Sequence, residues 1–538
     1  MADADSSKEK REVVYRHSGA VRVTHWVNVV ALLVLLMSGL QIFNAHPALY
    51  LGSKSSFDDP VMAMRPMKHG EQVVGVTTIA GWSIDTTGIF GVAYMADGDY
   101  QVRGFPWSVT LPGHRDLATG RRWHFFFAWL FIINGIAYLI YSLVSGHLRR
   151  DLAPGTSELK HIGASIWEHI RLKFPQGEEA KRYNVLQKLA YLIVALVLLP
   201  LMLATGLAMS PGMDAGYPFL LDMFGGRQSA RTIHFIAASG IVLFVVVHLV
   251  MVLITGVWNN LRSMITGRYV IKLPEGQLSA KAKLDRRRFL TRGLAIAGAA
   301  LAGGCDSELS EQPWVKRILD KAETLTYASQ RALIPANALA REYSEADISR
   351  DFKANGSTGV DDDAYRALAA NGFADWKLKV GGLVETPLEL SLAELRAMPA
   401  RTQITRHDCV EGWSCIGKWT GVQLKALLDK AAIKPNARYI VFYCADDLGE
   451  TGDDDGKYYE SVGLEDAFHP QTILAYDMNG APLPIPHGAP LRLRVERQLG
   501  YEMAKYVMRI EAMDGLAGIR GGRGGFWEDR GYEWYAGI

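Results

Sequence analysis

Two histidines lie inside a stretch, 231–258, that is apolar and long enough to cross a bilayer as a helix. His234 and His248 are fourteen residues apart. On an α-helix this spacing returns to within about 40° of the starting direction, with a rise of roughly 21 Å. Both imidazoles therefore face one side, one near each leaflet, which suits two haems placed one above the other. Hydrogen bonds to neighbouring helices are the alternative use of such histidines.

Three further apolar runs could cross the bilayer, and two of them begin with a histidine. The runs are 23–43, 123–145 and 185–209. His25 opens the first and His124 opens the second. His17, in YRHSG, is a rival for His25, but it precedes the apolar run and we expect it at the surface. The sequence thus predicts an all-α transmembrane four-helix bundle in a lipid bilayer.

Charge asymmetry orients the four spans and assigns each histidine a depth. Lysines and arginines concentrate in 146–184 and 259–292, which we place on the cytoplasmic side. His124 then lies at the outer level with His234, and His25 at the inner level with His248. Bis-histidine haem b needs one imidazole on each side of the ring at one level. We therefore predict two haem b groups, with these four histidines as iron ligands.

The membrane half resembles a known family. RVTHW, GRRWHFFFAWLFIINGIAYL and the fourteen-residue histidine spacing are similar to the two-haem cytochrome b subunits of formate dehydrogenases, nickel–iron hydrogenases and thiosulfate reductases. The resemblance covers about residues 12–265. It implies that the four histidines bind haem and that a quinone docks near one of them.

Length and composition divide the chain of 538 residues into unlike parts. A net charge of +2 with 10% aromatic residues argues against a nucleic-acid partner, and four scattered cysteines do not form a disulfide framework. Strand-like alternation from about residue 375 predicts a soluble α+β domain. We expect a membrane domain at 1–265, a linker with an export segment at 266–305, and a soluble domain at 306–538.

The segment RRRFLTRGLAIAGAALAGGC, residues 286–305, joins the two halves. It resembles a twin-arginine export signal, which moves a domain already folded around its cofactor. A basic linker followed by an ordinary helix is the alternative. We expect a multi-pass protein of a bacterial inner membrane with its C-terminal domain in the periplasm.

One cysteine in the soluble half has neighbours suited to a metal centre. Cys409 lies in TRHDCVEGWSC between His407 and Glu411. A thiolate there suits a soft metal. From the residues alone, Cys409 could equally be a nucleophile or an inert buried thiol.

The stretch CVEGW followed by KWTGVQLKALL resembles the molybdopterin-binding domain shared by sulfite oxidases and the periplasmic methionine-sulfoxide reductase. The resemblance covers about residues 345–515 and implies that Cys409 binds molybdenum. HGAPLR and GYEMAK match later elements of that family. The resulting candidate cofactor contacts are Asn355, His407, His487, Arg492 and Lys505.

The residues beside Cys409 bear on the substrate. A carboxylate from Glu411 next to the metal disfavours a dianion such as sulfite, tolerates a neutral S-oxide or N-oxide, and could relay a proton. Arginines elsewhere could offset that charge; they are Arg406, Arg520, Arg523 and Arg530. The glycine-rich and aromatic C-terminus, from residue 521, is expected to pack over the pocket mouth or the membrane domain, or to form a surface tail.

These residues together favour a membrane-bound molybdenum oxidoreductase that exchanges electrons with the quinone pool through two b haems. Reduction of a small periplasmic S-oxide or N-oxide by quinol is the preferred direction. One alternative is a sulfite-like dehydrogenase that reduces quinone. Another is an electron-transfer module that serves a protein partner, such as a periplasmic carrier.

Overall fold

The computed structural model describes residues 10–70, 72–94, 99–171, 183–273, 307–449 and 456–538. The predicted export segment 286–305 lies outside the described residues. The chain forms two compact units. Among described residues, one unit holds 10–36, 127–203 and 234–273, and the other holds 37–126, 204–233 and 307–538.

Within the described residues, four helices are long and apolar enough to cross a membrane, as predicted. Helices α1 to α4 span Gly19–Phe43, Leu117–Val144, Val185–Ala208 and Arg227–Ile254. Helix α3 contains a π-helical turn at Val194–Leu198. At most 22% of the most apolar window in any of these helices is buried, so their apolar faces are open to lipid.

Polar side chains link α1 and α2 within the unit that holds 10–36, 127–203 and 234–273, called the helical unit below. The amide Nδ2 of Asn134 on α2 donates to the carbonyl of Thr24 (2.9 Å) and to Oδ1 of Asn28 (2.7 Å) on α1. The hydroxyl of Tyr141 donates to Oγ of Ser18 (2.7 Å). Such bonds hold helices together in lipid, where apolar packing alone does not favour association.

The chain before α1 and the chain after α4 meet in a two-stranded antiparallel sheet, β1 (Lys10–Tyr15) with β8 (Arg268–Leu273). His17 follows β1 and is only 9% exposed. Its Nδ1 lies 3.1 Å from the hydroxyl of Tyr183. The expectation that His17 is a surface residue is therefore wrong, because the strand pairing turns it under Tyr183.

The loop between α1 and α2, expected to be a polar connection at 44–120, contains two small sheets. One has the order β2-β3-β4-β5 and the other pairs β6 with β7. These strands are Ala48–Leu49, Met62–His69, Gln72–Ile79, Trp82–Asp85, Gly91–Tyr94 and Tyr100–Arg103. These short strands lack a clean alternation of apolar and polar residues, so no strands were predicted here.

The soluble region contains two larger sheets, which confirms the α+β prediction. One has the order β10-β9-β18-β13-β14; the other has the order β11-β12-β15-β16, with β17 beside β15. Strands β9 to β13 are Lys377–Gly382, Leu388–Ser391, Ala400–Asp408, Ser414–Gln423 and Tyr439–Asp447. Strands β14 to β18 are Lys457–Gly463, Ile473–Met478, Ala481–Pro482, Arg492–Arg494 and Val507–Met513.

One apolar core joins these strands to the helix Leu424–Ala431 and the helix Leu392–Ala397. Fully buried Leu427 and Phe442 are typical of its members. The remaining helices of this region are Ser307–Glu311, Pro313–Leu319, Lys321–Leu333, Asp363–Ala370 and Leu464–Ala467.

The C-terminal segment is part of the packed structure rather than a surface tail. Phe526 and Ala536 are fully buried. The carbonyl of Gly537 accepts from the amide of Gly212 (3.0 Å), which lies between α3 and α4. Nε of Arg121 donates to Oε2 of Glu533 (3.2 Å), and both side chains are about 6% exposed.

Candidate active site

Cys409 begins a tight turn between two paired strands. Strands β11 and β12 are antiparallel, and the last pair of the ladder joins Asp408 to Ser414. The amide of Cys409 donates to the carbonyl of Trp413 (3.0 Å), and the amide of Gly412 donates to the carbonyl of Cys409 (3.0 Å). Gly412 has φ +109°, a value that L side chains rarely adopt. The turn therefore fixes the position of the Cys409 thiol.

The thiol itself is buried and neutral in the protein alone. Cys409 is 8% exposed and packs with Trp413 and Cys415. Burial, aided by the nearby Glu411 carboxylate, raises the pKa of the Cys409 thiol to about 12. A thiol in this state becomes a thiolate when a metal takes the place of its proton. The buried sulfur thus fits a metal-ligand role better than that of a free nucleophile.

Glu411 is partly exposed and has fixed partners. Its Oε2 accepts from the indole Nε1 of Trp413 (2.8 Å) and lies 3.5 Å from Nζ of Lys353. The carboxylate is thus held beside the turn that carries Cys409, with a lysine near it.

His407 lies on β11 with its ring fully buried. Nη1 of Arg494 is 3.1 Å from its Nδ1, and a guanidinium can only donate, so Nδ1 accepts. Burial and the charges of Arg492, Arg494 and Lys505 lower the pKa of His407 well below its usual range, so the ring is neutral. The proton is then on Nε2, which has no partner among the described residues. That N–H donor is available to a cofactor.

Four candidate cofactor contacts come together around one point. The guanidinium Nη2 of Arg492 donates to Oδ1 of Asn355 (2.9 Å), and its Nη1 donates to the carbonyl of His487 (3.2 Å). Nζ of Lys505 donates to the carbonyl of Asn355 (2.7 Å) and to that of Pro486 (3.1 Å). The structure therefore brings together residues from three separate parts of the sequence.

This cluster carries positive charge, and its acidic neighbours, Glu496 near Arg492 and Asp446 near Lys505, form no ion pair with it among the described residues. Burial and Arg494 lower the pKa of Arg492 to about 9, and burial and Arg492 lower that of Lys505 to about 7. Burial, Arg492 and Lys505 lower the pKa of His487 to about 4. Nε of Arg492 and Nδ1 of His487 are buried without a partner in the described structure. A phosphate would satisfy both the charge and these atoms.

Arg494 differs from Arg492 because its charge is balanced. Its Nη2 donates to Oε2 of Glu496 (2.6 Å), and both side chains are fully buried. Gln403 donates to the same carboxylate (2.9 Å). The Arg494–Glu496 pair therefore orients His407 through a hydrogen bond, and was not singled out in the sequence.

A further set of residues, which the sequence did not point to, holds the Cys409 turn from outside the soluble domain. Nε2 of Gln228, at the start of α4, donates to the carbonyl of Gly412 (3.0 Å) and to Oγ of Ser414 (2.9 Å). Arg227 donates to the same Oγ (3.1 Å). The amide of Ser55 donates to the carbonyl of Ser414 (2.8 Å), and the amide of Ser414 donates to Oγ of Ser55 (3.1 Å). We call Ser55, Arg227 and Gln228 the turn clamp.

An ion-pair network extends the turn clamp. Arg227 lies 3.6 Å from Asp408, and Nη2 of Arg406 donates to Asp214 (3.0 Å) and to Asp408 (2.9 Å). Although burial opposes it, the guanidiniums of Arg227 and Arg406 lower the pKa of Asp408 to about 2. In the sequence, the polar residues just before the apolar run of α4 are the feature that indicates this network.

Of the four membrane histidines, His25 and His248 interact electrostatically with each other within the helical unit. Nδ1 of His25 is buried and has no partner among the described residues. His124 lies against Gly39 of α1, where an added Cβ would be 3.3 Å from its Cε1. Nδ1 of His124 is 3.1 Å from Oγ of Ser38.

His234 hydrogen-bonds to the backbone of Met202 on α3. A histidine that binds iron commonly uses one ring nitrogen for the metal and donates the other N–H to an oxygen. The contacts of His124 and His234 agree with that arrangement. The Nδ1 of His25, buried without a partner among the described residues, agrees with a nitrogen that can bind iron. The residues present therefore fit haem.

Comparison with known proteins gives two family matches. The model of prokaryotic cytochrome b561 matches residues 16–267. The model of the oxidoreductase molybdopterin binding domain matches residues 367–517. The first match contains all four membrane histidines, and the second contains Cys409 and the residues after it.

Curated relatives are similar to large parts of this chain. It is 36% identical over 252 residues to a protein of Azospira oryzae named putative protein-methionine-sulfoxide reductase subunit YedZ1, covering 47% of this chain and 87% of that protein. It is 30% identical over 253 residues to the protein-methionine-sulfoxide reductase catalytic subunit MsrP of Xanthomonas axonopodis pv. citri, covering 46% of this chain and 76% of the relative.

A ligand role for Cys409 predicts a selective effect of removing its sulfur. Loss of an outer-shell group costs about 10–100-fold, so Cys409→Ser is expected to lower turnover more than about 100-fold and to reduce bound molybdenum. Cys415→Ser, at a buried position in the strand that follows the turn, is the control and should keep both. Metal analysis and turnover of the purified proteins decide; normal molybdenum content in Cys409→Ser contradicts the role.

The buried Arg494–Glu496 pair predicts a stability effect that depends on both partners. Arg494→Met leaves the Glu496 carboxylate buried without its cation and should cost about 3–5 kcal/mol. Arg494→Met with Glu496→Leu should recover most of that loss. Arg509→Met removes an exposed pair with Glu511 and should cost at most about 1 kcal/mol. The measurement is thermal melting of the unmodified protein and of these three variants. Equal effects of Arg494→Met and Arg509→Met would refute the assignment.

Proposed function

We propose that this chain, which belongs to the prokaryotic cytochrome b561 family in its membrane half and to the molybdopterin-binding oxidoreductases in its soluble half, reduces a small S-oxide or N-oxide with electrons from quinol. The predicted fusion of these two domains and its assignment as an oxidoreductase enzyme are confirmed by the comparisons. The proposal adds two haems, the quinone and the direction of electron flow.

A bound molybdenum–pterin group supplies oxygen-atom transfer, and a bound haem supplies one-electron exchange. Cys409 is proposed to hold the metal, and Asn355, His487, Arg492 and Lys505 to hold the pterin phosphate. The neutral ring of His407 presents an N–H donor beside them. Reduction of an S-oxide to a sulfide consumes two electrons and two protons and releases water, and oxidation of one quinol to quinone supplies both.

Four histidines are proposed as the iron ligands at two levels. The electrostatic contact of His25 with His248 supports the inner pair. His124 and His234, each with a second polar contact on its ring, are proposed for the outer pair. The separation of His248 from His234 along α4 supports an electron route from the inner to the outer side.

The turn clamp is the observation that carries the link between haem and molybdenum. Gln228 holds the turn that begins at Cys409, and His234 follows six residues later on the same helix. Six residues correspond to about 9 Å of helical rise. The hydrogen bonds that join the first turn of α4 to the metal-binding turn support electron exchange inside one chain.

The residues beside Cys409 support a neutral oxide as substrate. Glu411 places a carboxylate near the turn, which opposes a dianion such as sulfite. Its contact with Lys353 (3.5 Å) provides a proton donor within reach. The names of both relatives point to methionine sulfoxide, and this too favours an S-oxide.

The turn clamp also supports the proposed location of the soluble domain. It joins the first turn of α4 and the loop before β3 to the Cys409 turn. The positive charge at 146–171 favours a cytoplasmic location for the other ends of the helices. We therefore propose an inner-membrane protein whose soluble domain is in the periplasm, exported through the segment 286–305.

The direction of the reaction can be tested by haem spectroscopy. The purified protein, reduced under anaerobic conditions by a quinol, should be reoxidised by methionine sulfoxide, dimethyl sulfoxide or an N-oxide. Sulfite should not reduce the oxidised protein. If sulfite reduces the haems and no oxide reoxidises them, the reaction runs in the opposite direction. If only a soluble cytochrome reoxidises them, the chain is an electron-transfer module.

The turn clamp predicts a split between two electron donors. Gln228→Leu should lower quinol-driven turnover several-fold, because the turn loses two hydrogen bonds to α4. Turnover driven by a reduced viologen, which can deliver electrons directly to the soluble domain, should stay near that of the unmodified protein. Gln423→Leu, which removes an exposed hydrogen bond in the soluble domain, is the matched control. An equal loss with both donors would mean that Gln228 only maintains the fold.

A further inference from the structure

Three glutamates that have no role in the proposed function converge inside the soluble region. Glu460 lies on β14, Glu502 ends the short helical turn Gly500–Glu502, and Glu528 lies in the C-terminal segment. One carboxylate oxygen from each lies within 4.8 Å of the other two. All three residues are fully buried.

The hydrogen bonding of these carboxylates is incomplete. Glu460 accepts from the backbone amide of Ser461 (2.9 Å) and from the hydroxyl of Tyr458 (3.2 Å). By contrast, both oxygens of Glu502 and both oxygens of Glu528 are buried without any partner in the described structure. A buried carboxylate without a donor is costly, so two carboxylates with no donor, beside a third, indicate that the cluster binds a positively charged group.

The charges around the cluster make the deficit larger. Within the described parts of the chain, no lysine, arginine or histidine forms an ion pair with any of the three. Burial and the neighbouring carboxylates raise the pKa of Glu460 and Glu502 well above the usual range, and burial raises that of Glu528 to about 8. Asp529 adds a further negative charge beside them.

We propose that Glu460, Glu502 and Glu528 bind a Ca²⁺ ion. Carboxylate oxygens are donors for hard cations, and three carboxylates can supply up to six oxygens. Ca²⁺–oxygen bonds of about 2.3–2.6 Å place opposite ligands about 4.6–5.2 Å apart, which accommodates the observed spacing. Mg²⁺ gives about 4.1 Å across its shell and retains several waters, which suits a fully buried site less well.

The backbone of the C-terminal segment passes close to two of the carboxylates. A Cβ added to Gly525 would fall 1.9 Å from Oε2 of Glu528 and 2.4 Å from Oε1 of Glu460. Glycine is therefore required for the chain to pass this close to both oxygens. The C-terminal segment thus approaches the cluster as closely as its backbone permits.

The ion connects three segments that are distant in the sequence. Glu502 belongs to the loop that also carries Lys505, and Glu528 belongs to the segment whose Glu533 contacts Arg121. Binding of Ca²⁺ therefore fastens the C-terminal segment to β14 and to the loop beside the cation cluster. Its loss should lower thermal stability, because ligand binding to the folded state alone stabilises that state.

The test uses the full-length purified protein with its cofactors and needs no activity assay. Metal analysis should find stoichiometric Ca²⁺. Treatment with EGTA should lower the melting temperature, and added Ca²⁺, but not Mg²⁺, should restore it. Glu502→Gln and Glu528→Gln should lose both the ion and the effect of EGTA. Glu389→Gln, at an exposed position in the same domain, should keep both.

Protons are the competing occupant, and the same experiment separates them. If shared protons neutralise the cluster, the protein contains no Ca²⁺, EGTA has no effect, and the glutamine variants are as stable as the unmodified protein. That result overturns the proposal. Should a variant fail to fold, the metal content and EGTA response of the unmodified protein still decide. Neither outcome bears on turnover with oxides, so the proposed function is tested separately.

Discussion

The Cys409 turn has to be held in one place, and hydrogen bonds from outside the soluble domain do this. Ser414 closes the turn, and its hydroxyl receives donors from Arg227 and Gln228 while donating to Asp408 (2.7 Å). All these groups are buried, so each unmade bond would cost the full desolvation of its donor or acceptor. A buried network in which each of these donors has an acceptor favours one arrangement and penalises others. The position of Cys409 relative to the first turn of α4 follows from it.

The sequence was sufficient to predict the elements whose signal is local. Hydrophobic runs gave the four spans, and the motif around Cys409 gave the domain type. It also singled out Asn355, His487, Arg492 and Lys505, which the fold brings together, although the roles assigned to them stay predictions. These residues were identified by family resemblance, because no periodicity relates positions 355 and 505.

What the sequence did not reveal depends on contacts between distant segments. The pairing of Arg494 with Glu496 and the turn clamp consist of common polar residues, which are indistinguishable from surface residues until burial is known. The strands between α1 and α2 were missed because they are short and their apolar and polar residues do not alternate cleanly. His17 was misjudged for the opposite reason, since a strand pair and Tyr183 cover a position with polar neighbours.

Two buried clusters of like charge meet on one loop, and neither is balanced by the chain alone. Lys505 belongs to the positive cluster with Arg492, and Glu502, three residues earlier, belongs to the negative one. A protein cannot keep such groups ionised in its interior without counter-charges. An anion at the first cluster and a cation at the second would each restore the ionised state of their ligands. Lys505 and Glu502 then each have a counter-charge on the same loop, and binding at either cluster stabilises the folded state of that loop.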